Sequence, residues 1–182
     1  MGMPAQQSEW TAEEAIALPA DGNRYEVLDG ELFVTPAPSW RHQAVVGRLF
    51  ERLAPYVREQ ALGWAMLSPA DISFTPRRLV QPDIFVVPQG AGSEPTSWAQ
   101  VRDLLLTVEV LSPSTAHADR LVKRRIYQQQ RVSEYWIVDL DARLVERWRP
   151  TDERPELVSD ILTWAPRPDV TPLRIEVASL VG

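Results

Sequence analysis

The chain has 182 residues, 45% of them apolar, with seven tryptophans and no cysteine. That is enough for one domain with its own core, and it excludes a disordered chain, a disulfide framework and thiolate metal sites. The formal net charge is −6, from 25 acidic and 19 basic side chains, which argues against a broad basic footprint for nucleic acid but leaves room for a local groove. No apolar run reaches the ~18 residues of a membrane span, and the N-terminus lacks the apolar stretch of a signal peptide. With no cysteine, a cytoplasmic location is expected.

Residues 1–9 read as a flexible tail and 10–182 as a single domain. Thr11-Ala-Glu-Glu14 is a capping-box pattern that predicts a short helix up to Leu18, before Pro19. Asp29-Gly30 is a tight-turn signal joining Tyr25-Glu-Val-Leu28 to Glu31-Leu-Phe-Val34. Strand alternation puts Tyr25, Val27, Leu32 and Val34 on one face of that hairpin, and Glu26, Leu28, Glu31 and Phe33 on the other. After Pro36-Ala-Pro, Ser39 caps a helix from Trp40 to Gln60, whose apolar residues recur at helical spacing; Pro55 is expected to kink or end it. Strands are predicted at 63–67, 70–75, 83–87 and 104–111, with a helical patch around Trp98 to Arg102. Ser112-Pro-Ser-Thr115 reads as a turn and cap before a helix from Ala116 to Gln130. A strand pair, Tyr135–Asp139 and Leu144–Trp148, surrounds Asp141-Ala142. Residues 150–172, rich in proline and acid, read as a loop before a last strand at 173–177.

Two acids and a lysine carry the chemistry. Lys123 is the one lysine in the chain, the other 18 basic side chains being arginine. Lysine is a compact point charge that approaches a water or an oxyanion, where the arginine fork does not fit. Glu109 lies in the apolar run Leu104-Leu-Leu-Thr-Val-Glu-Val-Leu111, and Asp83 opens Pro82-Asp-Ile-Phe-Val-Val87. Buried carboxylates are costly unless paired or bound to metal. Two hard oxygen ligands on adjacent strands suit Mg²⁺ or Mn²⁺, which lower the pKa of bound water and neutralise phosphate charge. The residues also carry plainer readings. Asp83 reads as a strand-start turn, Glu109 as the partner of an arginine from the helix at 40–60, and Lys123 with Asp119 as a surface i, i+4 pair worth a few tenths of a kcal/mol. Asp119, Lys123 and Tyr127 share one helix face, with Arg124 and Arg125 beside it on a solvated face. His42, in the first turn of the long helix, reads as a phosphate ligand, general base or cap partner, and His117 as a surface residue. There is no histidine cluster for zinc, no glycine-rich phosphate loop, and no histidine placed for a serine nucleophile at Ser112 or Ser114.

These segments together resemble the Uma-two family of restriction-endonuclease-like proteins, within the PD-(D/E)XK nuclease superfamily. The resemblance runs from about Trp10 to Val177. It rests on Trp10-Thr-Ala-Glu-Glu-Ala-Ile-Ala-Leu-Pro19, Arg24-Tyr-Glu-Val-Leu-Asp-Gly-Glu-Leu32, Pro36-Ala-Pro-Ser with His42, Pro82-Asp-Ile-Phe-Val-Val87, Val108-Glu-Val-Leu-Ser-Pro-Ser-Thr115, Asp119-x-x-x-Lys123-x-x-x-Tyr127 and Val132-Ser-Glu-Tyr-Trp-Ile-Val-Asp139. It implies an α/β fold: a mixed, twisted sheet flanked by helices on both faces, with an N-terminal helix and hairpin. It implies a site of Asp83, Glu109 and Lys123. The superfamily's lysine place, two residues after Glu109, holds Leu111, and Lys123 of the following helix stands in for it. The expected activity is Mg²⁺- or Mn²⁺-dependent hydrolysis of DNA phosphodiesters. Asp83, Glu109 and the Val110 carbonyl would hold the ion, supported by His42, Glu31, Asp119 and Tyr127. The alternative is a catalytically silent binding or assembly module. A homodimer is possible under either reading.

Overall fold

The computed structural model describes residues 9–90 and 94–182. Helix α1 (Ala12–Ile16) leads into the hairpin β1 (Arg24–Leu28) and β2 (Glu31–Thr35), then α2 (Trp40–Glu59). Strands β3 (Gly63–Leu67), β4 (Ile72–Thr75), β5 (Arg78–Val80) and β6 (Ile84–Pro88) follow. A 3₁₀ turn at Trp98–Gln100 precedes β7 (Leu106–Val110). A π-helical turn (Ala118–Lys123) runs directly into α3 (Arg124–Gln129). The chain finishes with β8 (Glu134–Asp139), β9 (Leu144–Trp148), β10 (Glu156–Val158), β11 (Ile161–Trp164), β12 (Leu173–Glu176) and α4 (Val177–Val181). The tail expected at 1–9 lies, but for Glu9, outside the described residues.

Local chemistry explains the entry elements. The capping box forms as read: the Thr11 hydroxyl accepts from the Glu14 N–H, and the Glu14 carboxylate accepts from the Thr11 N–H at 2.8 Å. Asp29 and Gly30 both take positive φ, 56° and 91°, as a two-residue hairpin turn of the right twist requires. Ser39 caps α2 by accepting from the His42 N–H. Pro55 does not end that helix, which continues to Glu59. The acceptor that Pro55 leaves without a donor is on Glu51, an exposed residue whose carbonyl water can serve.

The central sheet is mixed, in the order β10-β9-β8-β7-β6-β3, with β7 and β8 parallel and β6 and β7 antiparallel. Alternation along the strands separates two cores. Ile84, Val86, Leu106, Val108, Val110, Trp136 and Val138 pack with Val45, Leu49 and Leu53 of α2 and with β11, β12 and α4. Phe85, Val87, Tyr135 and Ile137 face the other way, onto Ile126 and Tyr127 of α3 and onto Leu28, Ile72 and Val80 of a second sheet, β2-β1-β5-β4. Helices thus lie on both faces, as the resemblance implied. Both faces of the hairpin make core contacts: Tyr25, Val27 and Leu32 pack on α1, while Leu28 and Phe33 join the central sheet's second core; Val34, expected beside Leu32, is exposed instead.

Several boundaries differ from the sequence reading. The strand expected at 70–75 begins at Ile72, and β5 was not anticipated. The strand expected at 104–111 is confined to Leu106–Val110. The stretch read as a loop at 150–172 contains β10 and β11, and the last strand stops at Glu176, where α4 begins. Among the described residues no helix is long and apolar enough to cross a membrane.

Candidate active site

Asp83 immediately precedes β6. Ile84 pairs with Val108 across the antiparallel β6–β7 ladder. One further step places Asp83 beside Glu109, on the face that carries Phe85 and Thr107. The Asp83 side chain is 4% exposed and is tied down on three sides. Its Oδ1 accepts from the Arg24 guanidinium at 2.8 Å, and its Oδ2 accepts from the Val110 N–H at 2.8 Å and from His42 Nε2 at 3.0 Å. An ionised carboxylate only accepts, so His42 carries its proton on Nε2, and Nδ1 is left buried without a partner. Burial opposes ionisation of Asp83. The hydrogen bond and charge of His42, the Arg24 charge and the Val110 N–H outweigh it and hold the carboxyl below its ordinary pKa. Burial likewise opposes the Arg24 charge, which Asp83, Glu109 and Glu26 more than restore.

Lys123 is 1% exposed and stands among three carboxylates. Its Nζ lies 2.9 Å from Glu26 Oε2, 3.0 Å from Glu109 Oε1 and 3.2 Å from Asp119 Oδ1. Glu26 is fixed from behind, its Oε1 accepting from the Gln81 N–H at 2.8 Å. Glu109 Oε1 also accepts from the Tyr127 hydroxyl at 3.1 Å. The surface-pair reading of Asp119 and Lys123 fails because both side chains are buried. Burial disfavours the ammonium, but Glu109, Glu26 and Asp119 reverse this and raise the Lys123 pKa well above its ordinary value. The acids show the converse. Burial raises Glu109 well above the usual carboxylate range; Lys123 opposes the rise, while Asp119, Asp83 and Glu26 add to it. Asp119 is raised as well, again chiefly by burial.

The helix reaches this position through a π turn: the Arg124 N–H donates to Asp119 O, five residues back, and the Tyr135 hydroxyl donates to the same carbonyl at 3.1 Å. Such turns are frequent at functional sites. The structure therefore brings Asp83, Glu109 and Lys123 together with His42, Asp119 and Tyr127. Glu31 is the exception: it is exposed beside the hairpin turn, opposite Leu28, and does not join the cluster. Glu26, farther along the same hairpin face, takes that place. Arg24 was also missed. The signal for Glu26 was available, because its face also carries Leu28 and Phe33, and a carboxylate on a covered face needs a cation. The described Val110 contact with Asp83 is made by its N–H, not by the carbonyl expected as a ligand. His117 is exposed as read. Arg124 lies 4.7 Å over the Trp148 ring, and Arg125 is exposed.

Four buried carboxylates, Glu26, Asp83, Glu109 and Asp119, face two permanent cations, Arg24 and Lys123. Burial drives Glu109 and Asp119 toward their protonated forms, and a divalent ion bound beside them would favour the ionised ones. Among the described residues no three His, Asp or Glu side chains form a ready metal cage. Mg²⁺ does not need one, since it binds through one or two carboxylates with waters and substrate phosphate. A carboxylate has about four lone-pair sites, and the three donors on Asp83 and the two on Glu109 Oε1 leave capacity on both. The donor set therefore fits a hard divalent cation.

Two cavities flank the start of α2. One of about 480 Å³ lies between Arg41, Ser112 and Arg120. The other, about 400 Å³, has Arg24, Gln81 and Asp83 among its lining residues.

The model of the Uma2 family, described as "Putative restriction endonuclease", matches residues 12–178. A crystal structure described as that of a "putative nuclease belonging to DUF820" from Anabaena variabilis superposes with a TM-score of 0.75. It has 20% sequence identity and covers 94% of this chain and 97% of that one. At that identity the likeness speaks for the fold alone. No curated protein matches the chain.

Proposed function

The chain belongs to the Uma2 family, and from that membership we propose that it is a divalent-metal-dependent nuclease hydrolysing DNA phosphodiester bonds. The observation that carries the proposal is the placing of Asp83 beside Glu109 at the end of two adjacent strands, with a buried ammonium 3.0 Å from the second acid. In this reading Asp83, Glu109 and the Val110 carbonyl hold Mg²⁺ or Mn²⁺. The bound ion supplies a lowered pKa for water and neutralises charge on the scissile phosphate.

The chain's own residues do the rest. Arg24 and His42 keep Asp83 ionised and fix its direction. Tyr127 orients Glu109 by donating to Oε1. Glu26 and Asp119 hold Lys123 charged and in place. Lys123 orients the attacking water and stabilises the charge that develops on the phosphate.

A second reading is supported by the same cluster: Lys123 already has three carboxylate partners, which suits a silent, structural core in a binding or assembly module, for instance a homodimer. Nicking of supercoiled and single-stranded DNA with Mg²⁺ or Mn²⁺ separates the two. Under the nuclease reading Glu109→Ala is inactive. Lys123→Arg loses about 10²–10³-fold in rate, because the planar fork cannot take the place of a point charge among three acids. Cutting that survives in Lys123→Arg removes the role given to the lysine. No cutting by the wild type with either metal favours the silent module.

A further inference from the structure

Asp83, Glu109 and Lys123 are all buried, whereas an Mg²⁺ bound to the two acids would keep several waters and meet a substrate phosphate. Some cover must therefore move before a phosphodiester reaches Asp83. Three groups close on its carboxylate: Arg24, the Val110 N–H and His42. Arg24 stands on β1 opposite Thr35, and Val110 on β7 opposite Val138, so the backbone of each is held inside a paired sheet. Of the three, His42 alone stands at the end of an element, in the first turn of α2.

That turn is weakly held. Its side-chain cap is a long hydrogen bond, the His42 N–H donating to the Ser39 hydroxyl at 3.3 Å. It carries no acid, and Arg41 adds a positive charge at the positive end of the helix dipole. Arg41 is tied outside the helix by Leu140 O at 2.9 Å and by an exposed pair with Asp141. Before the turn, Pro36 and Pro38 have no N–H to donate, and residues 36–41 are all exposed. The apolar core takes hold of α2 only from Val45. Local opening is drawn from such low-stability ends. The two cavities lie on either side of this segment: Ser39 and Arg41 line one with Ser112, and Pro38 and Gln43 line the other with Asp83. Resting on the nuclease reading, we infer that residues 36–42 form a lid over the site. Lifting the lid withdraws His42 from Asp83 and joins the two cavities into one groove. Closing it over the bound phosphate restores the His42 bond.

Trp40, the first helical residue, is 89% exposed. Ser39 before it is extended, with φ −70° and ψ 161°, as a following proline requires. Proline is favoured at the first helical position, where the N–H has no partner within the helix. Trp40→Pro therefore stiffens the turn without a change of charge, Trp40→Ala removes the indole alone, and Ser39→Ala removes the cap. His42 Nδ1, buried and without a partner, reports the opening, because diethyl pyrocarbonate acylates a histidine nitrogen once it is accessible. Peptide masses follow the reaction, with the exposed His117 as internal standard, and melting curves check the fold. In the wild type His42 is expected to react at least about tenfold more slowly than His117. When closing is fast the rate follows the open population. Ser39→Ala is then expected to speed the reaction of His42 about threefold to tenfold, and Trp40→Pro to slow it about twofold to fivefold relative to Trp40→Ala. With Mg²⁺ and supercoiled DNA below saturation, nicking by Trp40→Pro is expected to fall by the same factor relative to Trp40→Ala.

His42 reacting as fast as His117 in the wild type, or at one rate in all four proteins, overturns the lid. Nicking that Trp40→Pro leaves unchanged, while its His42 is protected, means that substrate enters elsewhere and also overturns it. If none of the proteins cuts DNA and the reactivity of His42 follows the expected order, the nuclease reading falls and the lid over the buried acids stands.

Discussion

Replacing Lys123 by methionine keeps the stem and removes the ammonium, leaving Glu26, Glu109 and Asp119 buried around an apolar group. In the wild type the three contacts lie between 2.9 and 3.2 Å. Loss of one partner from a buried ion pair costs about 3–5 kcal/mol, and here one cation serves three acids. The acids limit the loss by taking up protons, toward which burial already drives Glu109 and Asp119. A carboxylate whose folded pKa is raised binds more protons in the folded state than in the unfolded one. Stability therefore falls as pH rises from the unfolded value of about 4 toward the folded one, by about 1.4 kcal/mol per pH unit for each extra proton held. The variant is expected to lose little at pH 5 and at least about 3 kcal/mol at pH 8. Urea unfolding of both proteins at the two pH values measures this. A loss below about 1 kcal/mol that is the same at pH 5 and pH 8 would mean that Lys123 behaves as an exposed pair, and the reasoning would be refuted.

Other outcomes follow from the same geometry. Mg²⁺ or Mn²⁺ should raise the melting temperature of the wild type by mass action, and Asp83→Asn should reduce that increment; equal shifts in both would place the ion elsewhere. Lys123→Met, once folded at low pH, should show a larger metal-induced shift than the wild type, because the ion no longer competes with the ammonium for Glu109. At the alkaline end the raised Lys123 pKa stabilises the fold fully below about pH 10.4 and is lost as pH rises through the folded value; Lys123→Met should lack that alkaline decline in urea unfolding. Gly63 has φ 139°, and an added Cβ would collide with the Val87 carbonyl oxygen, so Gly63→Ala should cost at least about 1–3 kcal/mol in the same assay, and a neutral result would contradict the β3–β6 approach.

The parts of the site legible in the sequence were those in which chemistry clashes with its local pattern. An acid inside an apolar run, an acid opening another, and the one lysine of an arginine-rich chain each stand out against their surroundings. Glu26 did not stand out, because an alternating hairpin reads equally well with one face in water. Its burial is decided by the central sheet and α3, which close over that face of the hairpin from elsewhere in the chain. Arg24 was hidden for a similar reason, since its partner Asp83 lies 59 positions away. Glu31 shares the face of Glu26, but it sits at the turn, where the cover ends. Strands β10 and β11 escaped because three- and four-residue strands rely on their neighbours for pairing and carry little periodic signal of their own.

The π turn at Ala118–Lys123 makes the length of this segment a constraint in its own right. The widened turn accommodates one more residue than an α-helix would, and each residue turns an α-helix through about 100°. The half of the helix bearing Asp119 is thereby out of phase with the half bearing Ile126 and Tyr127, and each half is docked by its own contacts. Deleting one exposed residue there, Leu121 for example, touches no buried contact directly. It would nonetheless let the helix relax to regular phase and force a choice: keep Ile126 and Tyr127 seated and rotate Asp119 away from the ammonium, or keep the acid and unseat the aromatic side. Composition at position 121 is therefore free where chain length is not. A leucine-to-alanine change and a one-residue deletion at the same place should have sharply different consequences.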